Sequence, residues 1–180
     1  MSRIPMIDPA AATGEAAVLL AAVQSQLGVT PNFIRVLANS APALKGFLGL
    51  YGGTGEGALD LRTRERIALA VAEENACQYC VSAHAAIGRA AGLDDGEIAA
   101  ARAGGSRDAK AAAAVAFAKA LAAHGGEVTA AEFGAVREAG YTDGEIVEII
   151  VNVALNVLTN MLGKATQVEI DFPKVALLAA

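Results

Sequence analysis

The sequence predicts an all-helical fold, a compact multi-helix bundle in which residues 1–180 form a single domain and which assembles as an oligomer. Three observations predict it. Hydrophobic residues make up 54% of the 180 while aromatics make up 4%, with no tryptophan, and the difference is largely alanine. Alanine has the best helix propensity, and its small side chain lets helices approach closely. Helix start and stop signals recur along the whole chain. No segment alternates apolar and polar residues with the period of two that marks a half-buried strand. A mean hydropathy of +0.43 is high for a soluble protein, so the excess is expected to be buried against other helices or against other subunits.

The elements follow in order. Glu15 to Leu27 reads as an amphipathic helix stopped by Gly28. Thr30-Pro31 reads as an N-cap followed by proline at the first helical position, opening a short helix to Ala38. Ser40-Ala41-Pro42 opens another, to about Tyr51, where Gly52-Gly53-Thr54-Gly55-Glu56-Gly57 is expected to stop it. Those glycines are a connector and not a phosphate cradle, since no strand precedes them and no Gly-Lys-Ser/Thr follows. Asp60 caps a charged helix, Leu61 to Glu74, whose Arg62, Arg64 and Arg66 are expected to form a solvated face. One of these arginines is a possible rival partner for Glu65. A cysteine-bearing helix runs from about Asn75, its expected N-cap, to Gly92.

Two corners then repeat. Residues 91–98 and 139–146 match at six of eight positions, each a glycine stop followed by a capping box, Asp94-x-x-Glu97 and Thr142-x-x-Glu145. Thr129-x-x-Glu132 is a third box, and His124 is expected to close a helix C-terminus. The last helix, Asp143 to Leu162, carries Glu148, Asn152, Asn156 and Asn160 at intervals of four on an otherwise apolar rod. That polar stripe is expected to face water or a neighbouring subunit, and the rod is expected at the centre of the bundle.

These features also exclude function classes. Glu148 and the three asparagines interrupt the most apolar stretch, so no run of 18 apolar residues is present and no membrane span is expected. The first nine residues carry an acid and two prolines in place of a signal peptide's apolar region, and a cytoplasmic location is expected. A net charge of −5 without a basic run argues against a nucleic-acid partner.

The only two cysteines stand in Cys77-Gln78-Tyr79-Cys80-Val81-Ser82-Ala83-His84. In a reducing compartment such a pair points to catalysis or metal binding rather than to a structural staple. On a helix, His84 lies one turn from Cys80 and can take its proton. Cys77 and Cys80 are spaced for a disulfide at a helix start, where unpaired N–H groups and the helix dipole favour thiolate. Glu65, twelve residues upstream of Cys77, supplies a carboxylate to orient His84 or pass it a proton. This set supports attack of a thiolate on a peroxide O–O bond, formation of a sulfenic acid, and its capture by the other thiol.

The pattern Glu-x(11)-Cys-x-x-Cys-x-x-x-His resembles the alkyl hydroperoxidase D group of the carboxymuconolactone decarboxylase family. Val29-Thr30-Pro31-Asn32-Phe33 and Glu169-Ile170-Asp171-Phe172-Pro173 resemble its peroxidase-related branch. The resemblance implies an AhpD-like helical fold assembling as trimers or hexamers, with no bound cofactor. It implies Cys80 as the peroxidatic cysteine, Cys77 as the resolving one, and His84 and Glu65 as a proton relay. It also implies peroxide as substrate and an external dithiol as reductant, such as dihydrolipoamide or a lipoyl protein. The chain departs from alkyl hydroperoxidase D in carrying Tyr79 where that protein has histidine. A phenol with an ordinary pKa near 10 is no base at neutral pH, so Tyr79 is expected to pack and hydrogen-bond. The decarboxylase branch lacks the cysteine pair, which argues against lactone decarboxylation here.

Other readings remain open: a dithiol–disulfide oxidoreductase, a redox carrier or sensor acting on a protein, or a zinc-stabilised module. Zinc is disfavoured because no second cysteine pair closes the site. A thioredoxin-like enzyme is disfavoured because no βαβ pattern surrounds the motif.

Overall fold

Six consecutive residues, Ile67 to Ala72, are all buried, so the helix that carries them is covered on every side. The structure is a computed structural model and describes residues 2–178. Among these it contains nine α-helices and no strand: α1 (Gly14–Leu27), α2 (Asn32–Leu37), α3 (Ala41–Gly55), α4 (Leu61–Glu74), α5 (Gln78–Ala90), α6 (Asp95–Arg102), α7 (Ala109–Ala123), α8 (Ala130–Glu138) and α9 (Asp143–Thr166). Helix α4 packs against α5, α6, α7 and α9 and is the central rod. The sequence reading gave that place to α9, which is instead half exposed, with Val147, Ile150, Leu158 and Met161 turned outward. Charges at both ends of α4 mask an apolar middle built of Ile, Leu, Val and Ala, all small enough for close helix contact. Helix α9 is the one described helix long and apolar enough to cross a membrane, and part of it lies in the core.

The core has two principal parts. One joins α4 to α7, α8 and α9 through Ile67, Val71, Phe117, Val136 and Ile149. The other gathers Leu20 of α1, Phe33 and Ile34 of α2, Phe47 of α3 and Leu155 of α9 around Cys77, Tyr79 and Cys80. The N-terminal helices therefore close over the start of α5. From the other side, the segment after α9 is strapped down by Val175 N–H to Ser82 Oγ at 3.0 Å and Leu178 N–H to Glu73 Oε1 at 2.6 Å.

Several boundaries differ from the sequence reading, each for a tertiary reason. Helix α3 continues through Gly52 and Gly53 to Gly55, because Arg64 donates to the Thr54 carbonyl at 3.0 Å and holds the last turn. Helix α2 has Pro31, not Thr30, at its N-cap. The first amide, Asn32 N–H, donates to Asp171 Oδ2 at 2.7 Å, so a carboxylate 139 residues away does the capping. Asn75 is the C-cap of α4, and Cys77 is the N-cap of α5. The arginines of α4 do not form a solvated face. Arg62 donates to the Ala91 carbonyl, Arg64 to that of Thr54, and Arg66 to Glu97. The boxes at Thr129 and Thr142 form as expected, and His124 closes α7.

The box at Asp94 forms only by half. Asp94 accepts from Glu97 N–H at 2.8 Å, but the Glu97 carboxylate turns inward. It accepts from Arg66 Nε at 2.6 Å, from the backbone and Nε of Arg107, and from the Ser106 hydroxyl. Burial alone would raise the Glu97 pKa. The bonds from Ser106, Arg107 and Arg66 outweigh burial and hold it down to about 2. A carboxylate with a depressed folded pKa stabilises fully above its unfolded value, near 4.3, and that stabilisation is lost as pH falls toward 2. Glu97→Gln is therefore expected to cost about 2 kcal/mol at pH 7 by urea denaturation. The gap to wild type should shrink as pH drops below about 4, and a gap that stays constant down to pH 2 would contradict the assignment.

Candidate active site

Helix α4 ends in a turn that delivers the cysteines. Asn75 closes the helix, Ala76 takes a left-handed conformation (φ 49°), and Cys77 N–H returns to the Ala72 carbonyl at 2.9 Å. This Schellman-type reversal satisfies the last carbonyls of α4 and starts α5 at Gln78. Cys77 Sγ accepts from Cys80 N–H at 3.4 Å, so a sulfur takes the capping role usually filled by oxygen. The two cysteines are joined as a disulfide, with Cα atoms 5.3 Å apart. Both are buried, at 1% and 3% exposure.

Because α5 folds back along α4, His84 meets Glu65. Their Nδ1 and Oε2 atoms lie 2.8 Å apart, and Glu65 is buried. No arginine takes Glu65 instead; Arg64, its sequence neighbour, turns to Thr54. A carboxylate on Nδ1 fixes the imidazole tautomer and leaves Nε2 for chemistry. Cys80, Glu65 and His84 all line one cavity of about 170 Å³, and Cys77 does not. The walls are mostly apolar, from Phe33, Ile34, Phe47, Leu155 and Phe172. Such surroundings strengthen every charge interaction inside.

Three polar groups of the cavity wall were not singled out for it in the sequence. Asn152 and Asn156 are buried and line the cavity, which corrects the expectation that their stripe faces water or a subunit. Their amide nitrogens donate to the carbonyls one turn back, Glu148 O and Asn152 O, both at 2.8 Å. Each amide oxygen is thereby left as an acceptor. Asn160, also buried, accepts instead from Asn75 Nδ2 at 2.9 Å and braces the cysteine turn. Arg64 Nε is buried on the same wall without a hydrogen-bond partner. The spacing of four was the visible signal for the asparagines; nothing in the sequence marked Arg64.

Tyr79 is the hub that closes the cavity. Its hydroxyl donates to Asp171 Oδ1 at 2.9 Å and accepts from Phe33 N–H at 3.2 Å, and its ring meets Phe172 edge-on at 5.8 Å. The segments 29–33 and 169–173 thus converge on α5. Burial first, then the Asp171 charge, push the Tyr79 pKa well above its ordinary value, so the phenol keeps its proton. Among the described residues no three of His, Cys, Asp and Glu come together as metal ligands would.

The carboxymuconolactone decarboxylase family model matches residues 41–124, the stretch from α3 to α7 that holds Glu65, both cysteines and His84. Over that stretch the chain is similar to the carboxymuconolactone decarboxylase family. Solved structures that share its fold over nearly the whole chain are described as peroxidase-related or AhpD-type proteins. An uncharacterized peroxidase-related protein from Silicibacter sp. TM1040 is 27% identical, with 92% of this chain and 88% of that one covered and a TM-score of 0.81. An alkylhydroperoxidase AhpD core from Ralstonia eutropha JMP134, also described as an uncharacterized peroxidase-related protein, is 26% identical, with 94% and 92% covered and a TM-score of 0.83. A variant of the debrominase Bmp8, solved in complex with 2,3,4-tribromopyrrole, shares the fold at 19% identity, with 94% and 91% covered and a TM-score of 0.79. No curated protein matches the chain significantly.

Tyr79→Phe removes two hydrogen bonds and no base. It is expected to cost about 1–3 kcal/mol of stability by urea denaturation, while hydrogen peroxide oxidises the dithiol within a few-fold of the wild-type rate. Loss of oxidation in a stably folded variant would assign the phenol a chemical role.

Proposed function

We propose that this protein is a thiol-dependent peroxidase, a single-domain cytoplasmic enzyme reducing hydrogen peroxide or small organic hydroperoxides. The observation that carries the reading is the convergence of Cys80, His84 and Glu65 on one apolar cavity, with Cys77 bonded to Cys80 from outside it. In the reduced enzyme the Cys80 thiolate attacks the terminal oxygen of the hydroperoxide. The O–O bond breaks, Cys80 becomes a sulfenic acid, and the leaving alkoxide takes a proton from His84, which Glu65 holds in position. Cys77 then attacks the sulfenic sulfur, water leaves, and the disulfide forms. An external dithiol such as dihydrolipoamide or a lipoyl protein restores both thiols; no bound cofactor is required for this cycle. A cavity of about 170 Å³ lies below the roughly 300–1,000 Å³ that holds a drug-sized ligand, which favours compact hydroperoxides. The outward apolar residues of α9 favour a homo-oligomer, a trimer or hexamer by family resemblance.

Single-turnover kinetics on pre-reduced protein test the assignment. Cys80→Ser is expected to consume no peroxide. Cys77→Ser should be oxidised once and stall as a sulfenic acid captured by dimedone, and equal rates for the two variants would overturn the order of the cysteines. Wild type that shows a reversible disulfide yet ignores peroxide would favour the carrier reading. Glu65→Gln keeps the shape and removes the charge behind His84. It is expected to slow oxidation about 10²-fold, at the lower end of general acid–base contributions; an unchanged rate would remove Glu65 from the relay.

A further inference from the structure

The two sulfurs of the disulfide belong to different openings. Cys80 lines the apolar cavity, whereas Cys77 lines a separate cleft of about 260 Å³ between the start of α5 and the end of α9, bounded by Gln78, Gly163, Lys164, Gln167 and Val168. Gly163 keeps that cleft open at the sulfurs. A Cβ at this position would stand 3.3 Å from Cys77 Sγ and 3.7 Å from Cys80 Sγ. The glycine lies inside α9 and its φ is not positive, so backbone conformation does not require it. Glycine weakens a helix interior relative to alanine, and the room it leaves beside the sulfurs is the compensation in view. Lys164 adds charge at the rim, with its ammonium 2.6 Å from the Asn75 carbonyl. Cys77 is also the N-cap of α5, and its Sγ accepts from Cys80 N–H, so this sulfur sits at the positive end of the helix. Both features favour an anion arriving at this sulfur.

We propose that this cleft is the docking site of the reductant, a small dithiol reacting as its thiolate, so that oxidant and reductant enter by different openings. The proposal rests on the thiol cycle above. The incoming thiolate attacks Cys77 Sγ; a new S–S bond forms as the Cys77–Cys80 bond breaks, and the electron pair leaves on Cys80. That thiolate is released into the cavity that His84 also lines, and stabilising the leaving sulfur speeds exchange. The second thiol of the reductant loses its proton to water and attacks its own sulfur in the mixed disulfide. Cys77 departs as a thiolate and takes up a proton, and the reductant leaves as a cyclic disulfide. Two electrons have passed from the dithiol to the cysteine pair.

The test measures the two half-reactions separately on the full chain. Oxidised protein is mixed with excess dihydrolipoamide and its thiols counted over time; pre-reduced protein is mixed with hydrogen peroxide. Gly163→Ala is expected to slow the reduction about tenfold, by crowding the attacked sulfur, and to leave oxidation within about twofold. Lys164→Gln, which removes the charge but keeps a donor for the Asn75 carbonyl and adds no bulk beside the sulfurs, is expected to slow the same half-reaction several-fold and to reduce its sensitivity to salt. It also carries the test should Gly163→Ala not fold. Cys80→Ser protein given oxidised lipoamide should trap a mixed disulfide at Cys77 by mass spectrometry. Reduction unchanged in both variants, or both half-reactions slowed alike, would overturn the proposal. Because the disulfide can also be formed with diamide, the reduction test runs whether or not peroxide is a substrate. A variant effect on reduction in a protein that ignores peroxide would keep the docking site and remove the peroxidase.

Discussion

The reversal between α4 and α5 is the constraint on which the site depends. Three residues, Asn75 to Cys77, turn the chain so that α5 runs back along α4. Only then can Glu65 and His84, 19 residues apart, approach to 2.8 Å. The same reversal makes Cys77 the first capping group of α5 and sets both sulfurs at the positive end of that helix. Alanine in a left-handed conformation costs on the order of 1 kcal/mol, so the turn must be held from outside. It is: the Asn75 side chain bonds Asn160, its carbonyl accepts from Lys164, and Cys77 N–H bonds the Ala72 carbonyl. Helix α9 thus buttresses the turn through Asn160 and Lys164.

The second feature is the division of surroundings across one S–S bond. Cys80 lines a mostly apolar cavity whose wall also holds the hydrogen-bonded His84 and Glu65. Cys77 looks toward an open cleft with a lysine at its rim. A bond with two unlike faces allows its making and its breaking to be governed separately. Tyr79 lines both openings, and its protonated hydroxyl ties α2 and the 169–173 segment to the wall between them.

Much of this was legible in the sequence because it depends on local chemistry. The side chains of Asp60, Thr129 and Thr142 cap where capping chemistry places them, and the spacing of Cys80 and His84 put both on one helical face. The pairing of Glu65 with His84 followed from an antiparallel neighbour. What was not legible depended on long-range partners. Asp171 capping α2, Arg64 holding the glycine-rich end of α3, and Arg66 drawing Glu97 out of its capping box each involve residues brought together only by folding. Helix α9 misled for a related reason. Its periodic asparagines have the pattern of a wet face, but hydropathy does not distinguish a stripe facing solvent from one facing an internal cavity.

The position of the unsatisfied polar atoms bears on why the asparagines and Arg64 lie where they do. Among the described residues only Arg64 Nε and Asn160 Nδ2 are buried side-chain atoms without a hydrogen-bond partner. Each such atom costs about 1–3 kcal/mol, a cost a fold normally avoids. Both lie near the cysteine pair: Arg64 on the cavity wall, Asn160 against the turn that presents Cys77. Elsewhere polar groups drawn inward are fully engaged, as the Glu97 network shows with four donors on one carboxylate. A chain that satisfies its polar groups away from the site thus concentrates its two open donors beside the cavity and the cysteine turn, where departures from local rules are expected in a functional site.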